Sequence, residues 1–287
     1  MAAAEVAREP VPAPGGRSEL LTRVVVGAAL AAVAIAATWA GGVAFTALVA
    51  AACLLMSAEW SVMHCVARPF RLASLGALAF VVVVFLRAGA ADALIVLAAA
   101  AGLLGLFVRG YDRARAFWVA AGLLYCGLPM VALLWLRASL FGLFYVSLVF
   151  AIVWATDIGA FFTGRTFGGP RFARTISPNK TWAGVAGGIA AAVVAAEALP
   201  IFGRGRPAVE HGLATAGGMV QLAGFALVGI LLAAFAIGGD LLESWLKRRA
   251  GVKDSGDLLP GHGGVMDRLD GLVPVAIVAA LGVGAGL

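Results

Sequence analysis

The sequence predicts an all-α fold, a polytopic integral membrane helical bundle of about nine transmembrane helices. Hydrophobic residues make up 62% of the chain and charged residues 13%, whereas soluble domains average about 45–50% and 25%. The apolar residues also fall in runs close to the roughly 20 residues that a helix needs to cross a bilayer. Because the three cysteines form no CxxC pair, we expect neither a disulfide framework nor a structural zinc site.

The apolar runs predict the helices in chain order. Residues 1–22 carry Pro10, Pro12 and Pro14 among charged residues, and we expect a disordered cytosolic tail there rather than a signal peptide. The predicted spans follow at 24–40, 43–59, 73–88, 90–108, 117–136, 139–162, 182–202, 213–247 and 268–287. Many are rich in Ala and Gly, which favours close packing of helix against helix.

The basic residues predict the orientation of these spans. With the N-terminus inside, most of the 21 Lys and Arg residues fall on the cytoplasmic side. The other side then receives Arg87, Arg137, Arg204 and Arg206. The net charge of +6 is therefore an orientation signal that also suits anionic lipid headgroups, and nucleic-acid binding is not expected.

Polar side chains divide the chain by chemistry. Residues 23–150 form an N-terminal transmembrane region with few polar groups in its spans, whereas 151–287 form the predicted catalytic region. Near the end of the eighth span, a helix would present four polar residues on one face: Asp240, Glu243, Ser244 and Lys247. Carboxylates there are costly unless they pair or bind a cation. Ion pairs within the helix end are the simpler alternative.

A glycine-rich loop precedes the last span. Gly263 and Gly264 follow His262, and Asp267 and Asp270 occupy the first turn of the next helix. Because Mg²⁺ prefers one or two carboxylates together with phosphate oxygens, we predict Asp240 and Asp267 as its ligands. Acids at a helix start also complement the helix dipole, an alternative that suits Asp270 better. His262 is expected near phosphate or metal, although a lone loop histidine is often only hydrogen-bonded.

A second polar stretch lies between spans six and seven, on the same predicted side of the membrane. Asp157 precedes it, and Ser177, Asn179, Lys180 and Thr181 lie just before the next helix. Backbone N–H groups and an ammonium at a helix start can hold a phosphate. An ordinary N-cap gives the same sequence pattern.

These residues resemble a known family. The run Ser244-Trp245-Leu246-Lys247-Arg248, followed by Lys253-Asp254, Pro260, His262-Gly263-Gly264 and Asp267-Arg268-Leu269-Asp270, resembles the C-terminal signature of phosphatidate cytidylyltransferases. The resemblance covers roughly residues 120–287 and includes Gly164-Arg165 and Ser177 to Trp182. Two positions depart from the family pattern: Ser255 replaces an aromatic, and Ala183 replaces a frequent Glu.

The resemblance implies transfer of CMP from CTP to phosphatidic acid, with Mg²⁺ required and room for a second cation. It assigns catalytic roles to Asp240, Asp267, Lys247, Lys253, Asp254, His262 and Arg268. It assigns substrate or phosphate binding to Asp157, Ser177, Asn179, Lys180, Thr181, Glu243, Ser244, Arg248, Gly263, Gly264 and Asp270. A homodimer and a bacterial plasma membrane, with the active site facing the cytoplasm, are further expectations.

Two alternatives remain open on the residues alone. A polyisoprenol kinase-like lipid phosphotransferase would share much of this architecture. A cation-coupled transporter would also place carboxylates in spans, but the matching interrupted helices of two repeats are missing, and the acids cluster at one face. No GxxxxGK[ST] motif occurs, which disfavours ordinary ATP hydrolysis.

Overall fold

A computed structural model describes residues 17–202, 216–258 and 263–286. Within them lie ten helices and two short strands. In chain order these are α1 (Arg17–Ala40), α2 (Gly42–Met63), α3 (Arg68–Ala88), α4 (Ala90–Arg109), α5 (Arg113–Ala138), α6 (Gly142–Phe167), β1 (Arg171–Ala173), β2 (Ser177–Thr181), α7 (Trp182–Phe202), α8 (Ala216–Ala250), α9 (Met266–Leu269) and α10 (Leu272–Gly284).

The predicted helical membrane bundle is confirmed. In the described part of the chain, seven helices are long and apolar enough to cross a bilayer, and Val24–Ala40 and Leu272–Gly284 are shorter apolar helices. Each predicted span overlaps one of these helices. Helix α1 begins at Arg17, inside the segment predicted as a disordered tail, and residues 1–16 of that tail lie outside the described residues.

The last predicted span is broken into α9 and α10. The break falls at Asp270 and Gly271, and Pro274 in the first turn of α10 has no N–H to donate to the carbonyl of Asp270 four residues earlier. That carbonyl instead lies against Gly239 of α8, where a Cβ atom would overlap it. The acidic first turn of the predicted span therefore packs closely against α8.

Strands β1 and β2 form an antiparallel hairpin that the sequence analysis did not predict. Arg171 pairs with Thr181, and Ala173 pairs with Ser177. Such short strands lie below the length at which alternation of apolar residues is readable. The hairpin delivers Lys180 and Thr181 to the start of α7, because β2 ends where that helix begins.

Helices α6 and α7 approach each other through small residues. A Cβ atom on Gly187 would overlap the side chain of Thr163, and one on Gly159 would come within 2.6 Å of the Gly187 carbonyl oxygen. The two backbones are therefore nearly in contact, as is usual where Gly lies in a membrane helix interface. Outside this α6–α7 interface, both helices also contact α8.

Contacts between helix ends agree with alternating spans. Arg137 at the end of α5 donates from Nε to the carbonyl oxygen of Thr38, near the end of α1, at 2.8 Å. At the opposite end of the bundle, Glu59 in the last turn of α2 accepts hydrogen bonds from the start of α9. The polar residues near the ends of α2 and α8 and the start of α9 therefore meet at one end of the molecule.

Candidate active site

Lys247 lies at the centre of a cluster that we call the closed cluster, made of Glu243, Lys247 and Asp267. Its Nζ is 2.8 Å from Glu243 Oε2 and 2.7 Å from Asp267 Oδ1. The side chains of the three are 12% exposed or less. Glu243 and Lys247 share a face because they lie one helical turn apart, whereas Asp267 comes from α9. The cluster thus joins two helix ends through one ammonium.

The carboxylate of Asp267 is almost fully occupied by protein donors. Besides Lys247, it accepts hydrogen bonds from the backbone N–H of Gly264 at 2.8 Å and of Ser255 at 3.0 Å. Burial raises the pKa of this carboxyl, but the hydrogen bonds from Lys247 and from those two N–H groups help to outweigh it, and the pKa falls to about 2. Asp267 is therefore a charged anchor for the loop that precedes it.

Glu59 is a buried carboxylate that the sequence analysis missed. It accepts hydrogen bonds from the N–H groups of Val265 and Met266, both at 2.8 Å, and from Ser255 Oγ at 3.1 Å. These donors lie on both sides of the glycine-rich loop. Glu59 therefore ties the predicted catalytic region to α2, in the half of the chain where few polar groups were expected.

A signal for Glu59 is present in the sequence. Like Asp240, it is an acid in the last turns of an apolar span, and such a position is costly without partners. Ser255, noted only as a departure from the family pattern, is one of those partners. Gly264 is required beside them, because a Cβ atom there would lie 2.6 Å from Glu59 Oε2.

A cleft of about 400 Å³ opens between α6, α7, α8 and the end of β2. We call it the open cleft. Its walls carry Asp157, Arg165, Asn179, Lys180, Thr181 and Asp240 together with apolar residues of the three helices. The structure thus brings residues from both predicted polar stretches into one cavity. Thr181 also accepts a hydrogen bond from Gly184 N–H at 3.1 Å, so it caps α7 while lining the cleft.

Asp240 links the open cleft to the closed cluster. It pairs with Lys180 and accepts a hydrogen bond from Ser244 Oγ at 3.3 Å. Carboxylate oxygens of Asp240, Glu243 and Asp270 all lie within 4.8 Å of one another. Among the described residues this is the acidic group that could hold a metal ion, and Asp267, predicted as a ligand, is not part of it.

Other predicted residues lie near this site without lining the cleft. Arg248, Lys253, Asp254 and Arg268 are exposed at the same end of the bundle. Ser177 takes part in the hairpin. A Cβ atom on Gly263 would lie 2.8 Å from Asp267 Oδ2, so its backbone passes close to the closed cluster. His262 lies outside the described residues.

The chain is similar to known proteins over most of its length. The sequence model of the Cytidylyltransferase family matches residues 21–284. A phosphatidate cytidylyltransferase of Brucella suis biovar 1 is 39% identical over 267 residues, covering 92% of this chain and 93% of the relative. The Haemophilus influenzae protein of that name is 39% identical over 184 residues, covering 60% of this chain and 61% of the relative. The Helicobacter pylori protein is 40% identical over 166 residues, covering 58% and 56%.

Proposed function

The chain belongs to the cytidylyltransferase family, and we propose that it transfers the cytidylyl group of CTP to phosphatidic acid. A phosphate oxygen of the lipid forms a bond to the α-phosphorus of CTP, and the bond from that phosphorus to the bridging oxygen breaks. The products are CDP-diacylglycerol and pyrophosphate. Catalysis of such a displacement consists mainly of positioning and of balancing negative charge.

The observation that carries this proposal is the convergence of cations, polar groups and carboxylates in the open cleft. Arg165 and Lys180 supply positive charge for phosphate oxygens, and Asn179 and Thr181 supply hydrogen-bond donors. In the present arrangement Lys180 pairs with Asp240. When a nucleotide enters, its phosphates compete for that ammonium, so we assign Lys180 to the triphosphate.

The acidic group fits a divalent cation such as Mg²⁺. Carboxylate oxygens are the ligands of a hard cation, and Asp240, Glu243 and Asp270 bring theirs together. Glu243 Oε1 is buried without a hydrogen-bond partner among the described residues, which is costly unless something binds it. The bound ion would neutralise phosphate charge next to the attacked phosphorus. Asp267, the second predicted ligand, contributes by holding Lys247 and the glycine-rich loop in place.

The second substrate is a lipid, so the cleft has to be open to the bilayer as well as to water. Exposed Phe161 borders the cleft on α6, at a position where an acyl chain could lie beside it. The predicted excess of basic residues on this side supports a cytoplasmic orientation, in the inner membrane of a bacterium. A homodimer stays a prediction.

The direct test is incubation of purified protein with labelled CTP, phosphatidic acid and Mg²⁺. We expect a labelled CDP-lipid and stoichiometric pyrophosphate, and no product when a chelator removes the metal ion. Isoprenol and diacylglycerol serve as control acceptors. Transfer of the terminal phosphate of CTP to either alcohol, with no product from phosphatidic acid, would contradict the proposal in favour of a lipid kinase.

A further inference from the structure

A second cavity lies outside the open cleft, in a hairpin of α4 and α5 that the proposed reaction does not use. It has a volume of about 530 Å³ and is lined by Ala101, Gly102, Gly105, Leu106, Arg109, Arg113, Ala116, Phe117 and Ala120. We call it the α4–α5 groove. It has no lining residue in common with the open cleft.

The groove is formed by two facing stripes. Its α4 residues recur at helical spacing from Ala101 to Arg109, and its α5 residues recur from Arg113 to Ala120. Small residues allow the helices to approach, since a Cβ atom on Gly105 would lie 3.1 Å from Ala120 Cβ. Leu106 and Phe117, each 66% exposed, form the rims.

Both arginines lie at one end of the groove. Arg109 ends α4 and Arg113 begins α5, so the connecting turn places them together while the opposite end is apolar. Among the described residues neither guanidinium has an ion-pair partner. The nearby acid, Asp112, is used elsewhere, because it caps α5 through Arg115 N–H and lies 4.0 Å from Arg115 Nε.

The charged end of the groove lies at the same end of the bundle as the active site. Trp118, in the second turn of α5, contacts Arg249 at the end of α8. Tyr111, 72% exposed, lies in the connecting turn, and amphipathic aromatic residues favour the headgroup region. The groove is therefore cationic at the interface and apolar towards the bilayer centre.

We propose that the α4–α5 groove binds an anionic phospholipid of the surrounding bilayer as a site separate from the active site. The headgroup phosphate pairs with Arg109 and Arg113, and an acyl chain lies between Leu106 and Phe117. The groove is cationic at one end and apolar at the other, and a phospholipid is correspondingly anionic at its headgroup and apolar along its acyl chains. A cation near an anionic headgroup contributes about 1 kcal/mol, so each arginine is expected to change affinity about fivefold and the pair about 30-fold.

Native mass spectrometry of the protein, released from detergent with phosphatidylglycerol or phosphatidylcholine, tests the site. We expect retention of one phosphatidylglycerol in preference to phosphatidylcholine, and loss of it in an Arg109→Gln, Arg113→Gln variant. The matched control is Arg68→Gln, Arg71→Gln, which removes two basic residues at the start of α3 outside the groove. CDP-lipid formation by each variant shows that it is folded.

A second variant tests the apolar part separately. Gly102 lines the groove and has no neighbour within 4 Å of an added Cβ atom, so a side chain can start there without a clash at Cβ, and Gly102→Leu should also reduce retention. Equal retention by the arginine variant and the unaltered protein would overturn the proposal. Equal loss of bound lipid in the α3 control would show that diffuse charge attraction, and not this groove, retains the lipid. A cross-linked dimer whose interface covers the groove, with no lipid retained, would also overturn it.

Discussion

The closed cluster and the open cleft are adjacent and contain the same kinds of side chain, yet they differ in what is left free. In the closed cluster, Lys247 and backbone N–H groups occupy Asp267. In the open cleft, Asp240 has one ammonium and one hydroxyl as partners and borders a cavity of about 400 Å³. Asp267 therefore holds the loop that precedes it, whereas Asp240 borders the cavity in which we propose that substrate binds.

Burial explains why the two regions differ. A buried charge is stable only when paired and hydrogen-bonded, and Asp267 with its 8% exposed side chain satisfies that condition within the protein. The side chain of Asp240 is 35% exposed, so it can exchange a protein partner for a ligand at lower cost. Mutations in the cleft should therefore change catalysis first, and mutations around the cluster should change stability as well.

The largest effect is expected from Asp240→Asn. Removing one carboxylate from the acidic group should lower turnover at least about 10³-fold, because metal and charge stabilisation contribute several kcal/mol to such a step. The measurement is kcat for CDP-lipid formation together with the melting temperature. Asp92→Asn, an exposed acid in the first turn of α4, is the matched control. Comparable losses in both variants would show that the cleft has no special role.

Glu59→Ala should have the next largest effect, and mainly on folding. Three donors in the buried loop would lose their acceptor, at about 1–3 kcal/mol for each unsatisfied group. We expect a lower melting temperature and faster hydrogen exchange at Val265 and Met266. Glu59→Gln should recover part of both, since its amide oxygen still accepts. Unchanged exchange at those two amides would mean that Glu59 does not hold the loop.

Lys180→Met should raise the KM for CTP about 10- to 100-fold, since a charge-assisted hydrogen bond contributes about 1.5–3 kcal/mol. Stability should change little, because the side chain lies at the cleft wall. Lys253→Met is the comparison, as Lys253 is exposed and lies outside the cleft. A larger KM change for Lys253 than for Lys180 would move the triphosphate site away from the cleft.

A smaller effect is expected from crowding the close contact between α6 and α7, two of the helices that border the open cleft. Gly187→Ala would place a methyl group against Thr163, and overpacking typically costs about 1–3 kcal/mol. Gly224→Ala in α8 is the control, because nothing lies within 4 Å of an added Cβ atom there. The melting temperatures should fall for the first variant only. An equal fall of the melting temperature in both variants would show that α6 and α7 are packed more loosely than the Gly187–Thr163 contact indicates.

The smallest effect concerns His64, which follows α2 and stacks on Trp118 with ring centroids 3.8 Å apart. Burial, together with Arg115 and Arg249, lowers its pKa from 6.5 to about 4. The unfolded chain therefore binds this proton first, so stability should fall as pH decreases from 6.5 towards 4. His64→Gln should flatten that part of the stability profile. An identical slope in both proteins would assign the pH dependence to other groups.

Sequence reasoning predicted the fold correctly, and it named many of the residues that the structure brings together in the candidate site, because their signals are local. Span length and apolar composition predict the helices directly, and the spacing of Asp240 and Lys247 places them on one helix face. The open cleft is lined by Asp157, Lys180 and Asp240, which come from the two predicted polar stretches. Whether each predicted residue acts in catalysis stays a prediction.

The features of the site that the sequence did not predict depend on contacts between segments far apart in the chain. Glu59 meets Ser255 across 196 residues, and no local pattern connects them. The break at Asp270 and Gly271 separates α9 from α10, and the Asp270 carboxylate lies close to those of Asp240 and Glu243, although the helix dipole offered a simpler explanation of its position. Which of Asp267 and Asp270 is free for a metal ion depends on backbone donors, and these are set by the fold of the glycine-rich loop.

Metal binding without catalysis tests the distinction between cleft and cluster most directly. Mn²⁺ accepts the same hard oxygen ligands as Mg²⁺, and its binding to the purified protein with CTP can be counted by electron paramagnetic resonance. The account predicts that Asp240→Asn loses the bound ion and that Asp267→Asn, although less stable, retains it. Loss in Asp267→Asn with retention in Asp240→Asn would contradict the account.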